Sequence, residues 1–313
     1  MTSSFSYSYF GLNCISNVAL PLPENSNASS VDIHVDYEQR SEIRISQPYP
    51  PFREFRSDAR GWLLQYTDGA GDWGAYHYSA ADRRLVMMGS APPENFIPPL
   101  LGAVAAVIWR RRGACVLHGA AVEHGGKAIG LLGPSGSGKS TLTAALLARG
   151  CRLVSDDVLV LTAASSGFNV FAGHGRLSLD QPTADMLGLL ESKTSEPLTR
   201  SGSSKLWLEA NVAGGGFQPE ATRLAGLYVL EPFDPGKIGT SSIALSARSA
   251  TIELLQNIYG SDWIAPPVET DLRLSSSLSS QIAVRRLLRN RSLPELNLTA
   301  ELIFAEGFKS SER

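Results

Sequence analysis

The run Gly133-Pro-Ser-Gly-Ser-Gly-Lys139-Ser140 constrains this chain more than any other feature. It matches GxxxxGK[S/T] at every fixed position. AIGLL, an apolar strand, comes directly before it, and STLTAALLAR, a helix closed by Gly150 in a left-handed cap, comes directly after. Glycines at 133, 136 and 138 let the backbone turn tightly, so that successive N–H groups face inward and cradle an anion. The helix adds its positive end. In such a loop Lys139 sets an ammonium between the β- and γ-phosphates of a nucleotide, and the Ser140 hydroxyl joins a Mg²⁺ shell. Ser135, Ser137 and Thr141 fall among the same phosphate-facing positions.

RLVS (Arg152 to Ser155) reads as the next strand, and Asp156-Asp157 follows it, 17 residues after Lys139. Strand, loop, helix and strand form a βαβ unit, which implies parallel pairing and a right-handed crossover. The carboxyl ends of both strands then leave the sheet at one edge, which returns the acidic pair to the phosphates. Adjacent residues leaving a strand point in different directions. One carboxylate can serve a metal while the other faces an acceptor hydroxyl as general base, and the spacing leaves open which does which.

Other classes are excluded by composition. Basic and acidic residues number 28 and 30 for a net charge of −2, without the basic excess of a nucleic-acid binder. Cys14, Cys115 and Cys151 are odd in number and far apart, no CxxC occurs, and the five histidines form no HxxxH. That argues against a zinc site or disulfide framework and suits a reducing cytoplasm. The start, MTSSFSYSYFGLNC, carries no signal-peptide pattern. The longest apolar run, Ile97 to Trp109, holds two prolines and falls short of the roughly 20 residues that span a bilayer. It reads as a buried core helix whose end is complemented by Arg110, Arg111 and Arg112.

The 313 residues, 43% of them hydrophobic, suit roughly two domains. Of 25 aromatic residues, 14 lie in the first 96. That segment holds VDIHVDY (Val31 to Tyr37), alternating with period two, and a hairpin made by LLQY, DGAGD and WGAYHY. Residues 1–95 therefore read as a small β-rich unit, bounded by Ala91 to Pro99. Beyond it, VLHGAAV, VLVLT, KLWLEA and RLAGLYVLEP read as strands; TADMLGLLE, SATIELLQNIY and SQIAVRRLLRNR read as helices. The fold class is α/β.

Three further residues are candidates. His118 ends the strand before the loop strand, close to the site if the two pair. Arg176 follows a glycine-flanked turn able to overlie the site and meet a phosphate. Lys205 opens a strand after the polar stretch Lys193 to Ser204, which reads either as a substrate loop or as solvated surface. Arg285, Arg286, Arg289 and Arg291 read as the wet face of a helix, with binding of a peptide or acidic partner as the alternative, and His174 and His124 as structural.

Leu117 to Leu161, LHGAAVEHGGKAIGLLGPSGSGKSTLTAALLARGCRLVSDDVLVL, resembles the catalytic core of HPr kinase/phosphorylase. The order is the same: a His-Gly strand end, a P-loop, a helix ending in Arg-Gly, and Asp-Asp after a short strand. The P-loop region is also similar to that of phosphoenolpyruvate carboxykinase. Thr141 stands where the bifunctional regulator has Glu, and its downstream Glu-Ile-Arg-Gly segment is missing, with Gly175-Arg176-Leu177 as a degenerate counterpart. LHGAAV, the Lys-Ser-Thr loop and GHGRLSLDQPTADMLGL look more like the stand-alone HPr-kinase-like proteins, which phosphorylate a serine of lasso-peptide precursors.

The resemblance implies a P-loop core of HPr-kinase/phosphoenolpyruvate-carboxykinase type, with residues 1–95 as a β-rich unit and 96–313 as the kinase domain. It implies Mg²⁺-ATP as cofactor, Asp156 as the base that deprotonates a serine, Asp157 at the metal with Ser140, and a catalytic role for His118. A peptide or small protein is the expected acceptor, with no nucleic acid, no membrane span, and a homo-oligomer admitted. A true HPr kinase/phosphorylase and a nucleotide-dependent switch without an acceptor are the other two readings.

Overall fold

The computed structural model describes residues 4–26, 29–40, 53–67, 73–190, 196–197, 205–231, 239–264, 268–290 and 292–308. Seven N-terminal strands come first: β1 (Phe5–Tyr9), β2 (Leu12–Ser16), β3 (Ile33–Gln39), β4 (Arg53–Ser57), β5 (Gly61–Thr67), β6 (Trp73–Ser79) and β7 (Arg84–Gly89). They form one sheet in the order β1-β2-β3-β7-β6-β5-β4. β3 alternates over its first half and buries Ile33 and Val35, as period two requires. β5 and β6 form the expected antiparallel hairpin; its turn, residues 68–72, lies outside the described residues.

The buried face of this sheet meets the long apolar run, which folds as α1 (Ile97–Pro99), a π-wound turn at Leu100–Val104 and α2 (Ala105–Arg111). Leu100 through Arg110 are all buried, so this is a core helix. No helix among the described residues is long and apolar enough to cross a membrane. Two buried tyrosines fix it to the sheet: Tyr9 donates to Leu100 O and Tyr76 to Phe96 O, both at 2.6 Å. Arg110, buried, is held by Asp271 Oδ2 (2.6 Å) and donates to Tyr259 O (2.9 Å). One apolar core runs from the N-terminal sheet through this helix to Val116, Val158 and Val160.

Those valines belong to a second sheet of nine strands. β8 (Cys115–His124) turns at Gly125-Gly126 into β9 (Lys127–Leu132); α3 (Lys139–Leu147) follows, then β10 (Arg152–Ser155), β11 (Val158–Ala163) and β12 (Phe168–Val170). β13 (Arg176–Asp180), α4 (Gln181–Met186), β14 (Glu196–Pro197) and β15 (Lys205–Glu209) lead to β16 (Gly216–Phe217) and β17 (Thr222–Leu230). The chain ends with β18 (Ser241–Ala244), α5 (Ala247–Gln256), α6 (Val268–Gln281), β19 (Ala283–Leu288) and α7 (Leu293–Gly307). β13, β15 and β14 form a third, small sheet. Gly150, at φ +87, closes the turn after α3 as expected.

Pairing departs from the expected βαβ unit. β9 and β10 run parallel but do not touch, because β8 lies antiparallel between them. β9 finds its parallel partner in β17. β8, β9, β17, β12 and β11 close into a ring of strands. The carboxyl ends of β9 and β10 still share an edge, so the placement of the acidic pair holds although the pairing does not.

Helix SQIAVRRLLRNR is also corrected. α6 ends at Gln281, and Ala283–Leu288 is a strand, parallel to β17, that buries Val284 and Leu287. A short AVRRLL run fits both periods, and pairing with β17 decides it. Arg285 and Arg286 leave this strand toward carboxylates, Glu306 (3.1 Å) for the first and Glu231 (3.4 Å) and Glu253 for the second. Arg291 and nearly all of Lys193 to Ser204 lie outside the described residues. TADMLGLLE is helical only through Met186, with Gly188 at φ +68 ending the segment.

Gly119 of β8 pairs with Leu132 in β9 and donates its N–H to Asp157 O (3.2 Å). A Cβ here would stand 2.5 Å from Leu131 O. Gly119→Ala is therefore expected to lower stability by about 1–3 kcal/mol in urea unfolding; an unchanged midpoint would contradict this close approach.

Candidate functional site

The β9–α3 loop, the end of β10, β13, β15 and the π-wound turn enclose a cleft of about 1010 Å³. Its floor is the glycine loop. Gly133, Gly136 and Gly138 have φ of +140, +78 and +83, a backbone closed to side chains. The loop is tied down from two sides. Gly133 N–H donates to Asn257 Oδ1 (2.9 Å), just past α5, and Arg289, just past β19, donates to Ser137 O.

Lys139 is buried (9% exposed), and its ammonium donates to Gly133 O (2.7 Å) and Pro134 O (3.1 Å). Burial lowers its pKa, while the charges of Asp157 and Asp156 act against that. Ser140 Oγ donates to Asp156 Oδ1 (3.4 Å), and Ser178 N–H to Asp156 Oδ2 (2.8 Å). Asp156 is 4% exposed; burial, with some help from Asp157, pushes its carboxyl up to about 6 against the Ser178 hydrogen bond.

Asp157 differs from its neighbour in backbone conformation, exposure and partner. It adopts φ +73, a left-handed conformation uncommon for a residue with a side chain. Its side chain is 51% exposed and stands 3.2 Å from His118 Nδ1. Its crowded position would raise the carboxyl's pKa, but the His118 hydrogen bond and charge, with Lys205 and Lys139, hold it below the ordinary value. Across the cleft, the π-wound turn comes close: a Cβ on Gly102 would lie 3.6 Å from Asp157 Oδ2. His118, Lys139, Ser140, Asp156 and Asp157 thus meet in one place, joined by Ser135 to Gly138, Thr141 and Lys205.

Arg176 is not part of the cleft wall. Its Nε pairs with Glu209 Oε1 (2.8 Å) across the β13–β15 ladder, and its guanidinium lies over the Trp207 ring. The glycine-flanked turn instead presents His174, read from the sequence as structural. His174 lines the cleft at 4% exposure, packs against Trp207 at 5.6 Å between ring centres, and leaves Nδ1 without a hydrogen-bond partner. Burial, aided by Arg176, pushes its pKa down to about 4. Sequence reasoning missed Arg289, Asn257 and Trp207 as well. Reading AVRRLL as a strand would have found Arg289, which then emerges at the carboxyl edge where the loop lies. No sequence signal marks Asn257.

No protein-family model matches the chain, and no curated protein matches it. Among solved structures the chain is similar to one described as the structure of the Hpr(Ser) kinase/phosphatase from Coxiella burnetii. Identity is 15% and the TM-score 0.28, over 61% of this chain and 99% of that one.

A buried neutral histidine makes stability depend on pH. The unfolded chain takes up this proton near the ordinary value of 6.5 and the folded one only near 4, so the contribution is intact above 6.5 and lost as pH falls. Wild type should lose roughly 2 kcal/mol more than His174→Phe between about pH 7 and pH 5. Parallel stability curves for the two proteins would contradict the burial of His174.

Proposed function

We propose that this protein is a Mg²⁺-ATP-dependent kinase that transfers the γ-phosphate to a serine hydroxyl of a peptide or small protein. The observation that carries the reading is the meeting, across Gly119, of the glycine loop and the Asp157–His118 pair. The narrower acceptor class, a ribosomal precursor of lasso type, rests on the sequence resemblance alone. Three free, buried cysteines fit a reducing cytoplasm.

The donor set suits Mg²⁺. Ser140 Oγ and Asp156 Oδ1 are hard oxygens on adjoining elements. When bound, the ion neutralises charge on the β- and γ-phosphates. The loop amides and Lys139 bind and orient the triphosphate. Asp157, exposed toward the π-wound turn and oriented by His118, takes the proton from the serine hydroxyl as its oxygen bonds to phosphorus. The bond from phosphorus to the β-phosphate oxygen breaks, and ADP leaves.

This assignment exchanges the roles that the resemblance implies for the two aspartates. Both oxygens of buried Asp156 are engaged, one by the serine proposed for the metal, whereas Asp157 has the open approach. Asp157→Asn should therefore cut phosphate transfer by about 10²–10⁴-fold and leave ATP affinity within a few-fold. Asp156→Asn should weaken ATP binding in Mg²⁺ far more than in EDTA, read by calorimetry. The reverse pattern would restore Asp156 as base.

A further inference from the structure

We propose that Arg289 is a second phosphate-binding cation of the nucleotide site, serving the β-phosphate that becomes the leaving group. The inference rests on the nucleotide reading of the cleft. Its basis is the path of β19. This strand is parallel to β17, which is parallel to β9, so all three point their carboxyl ends at the same edge. β9 runs there into the glycine loop; β19 delivers Arg289 one residue after its last, Leu288.

Arg285 and Arg286 leave the same strand toward carboxylates. Arg289 reaches the loop: it donates to Ser137 O and lines the cleft. A Cβ on Gly138 would stand 2.7 Å from Arg289 Nη2. Glycine at 138 therefore does two things, supplying a φ of +83 and leaving room for the guanidinium. The amides around this part of such a loop cradle the α- and β-phosphates, whereas the lysine serves the β- and γ-phosphates. A guanidinium carries five donors in a fixed fork. It can keep Ser137 O and donate to a phosphate oxygen as well.

Both cations donate to loop carbonyls, Lys139 to Gly133 O and Pro134 O, and Arg289 to Ser137 O. A bound phosphate chain replaces carbonyl dipoles by full charges, a stronger pairing for each cation. The alternative is that Arg289 only braces the loop. The two differ in what they discriminate: a brace serves every nucleotide, and a β-phosphate contact serves only those that have one.

The test compares wild type, Arg289→Ala and Arg289→Lys. The readouts are affinity for ATP, ADP and AMP by calorimetry, the melting temperature without ligand, and transfer with and without added guanidinium chloride. The expected result is about 10–100-fold weaker binding of ADP and ATP to Arg289→Ala, with a much smaller loss for AMP. Arg289→Lys should recover part of the loss, and guanidinium should partly restore transfer by Arg289→Ala. Equal ADP affinity in wild type and Arg289→Ala would overturn the proposal, as would a lower ligand-free melting temperature with equal loss for all three nucleotides. Wild type that binds neither ADP nor ATP would instead overturn the nucleotide reading beneath it.

Discussion

The site depends on a single close approach in the middle of β8. Gly119 faces Leu132 at the end of β9 on one side and donates to Asp157 O on the other. With no side chain there, the glycine loop and the acidic pair are drawn against the same strand residue, within reach of one phosphate chain. His118, the preceding residue, pairs in register with Val158 and so stands beside Asp157. One strand thus sets the spacing between the proposed phosphate cradle and the proposed base.

Charge balance explains how these groups can stand together. Asp156 and Asp157 would repel across one peptide bond. Lys139, Lys205 and His118 offset the second carboxylate, while burial and the neighbouring charge leave the first easier to protonate. Lys139 is desolvated and leans on loop carbonyls. The proposed ligand, a magnesium-bound triphosphate, brings an anion with several oxygens and a small hard cation, which would complete a site balanced this way. The N-terminal sheet contributes indirectly: Tyr9 holds the π-wound segment whose Gly102 faces Asp157, and Tyr76 holds Phe96 just before it.

Local features were legible in the sequence. The glycine loop, its helix, the capping Gly150, the Asp pair and the β5–β6 hairpin are each encoded within a few adjacent residues by steric and periodic rules. What could not be read depends on distant partners. The insertion of β8 between β9 and β10 is a pairing choice among strands of similar composition. AVRRLL becomes a strand because β17 offers it an edge, which carries Arg289 from a presumed wet helix face to the loop. Arg176 does follow a glycine-flanked turn, but it stands on a strand where Glu209 lies opposite in register and draws it off the cleft wall. Gly173 and Gly175 flank the residue that does line the cleft, His174, which carries no motif of its own.

The most direct test of the account is transfer of labelled γ-phosphate from Mg²⁺-ATP into the peptide and protein fractions of the source cell, with Lys139→Ala as control. The account predicts label on serine of a peptide or small protein with wild type and none with the control. ATP bound by the wild type with no label transferred to any peptide or protein would contradict it and leave a nucleotide-dependent switch.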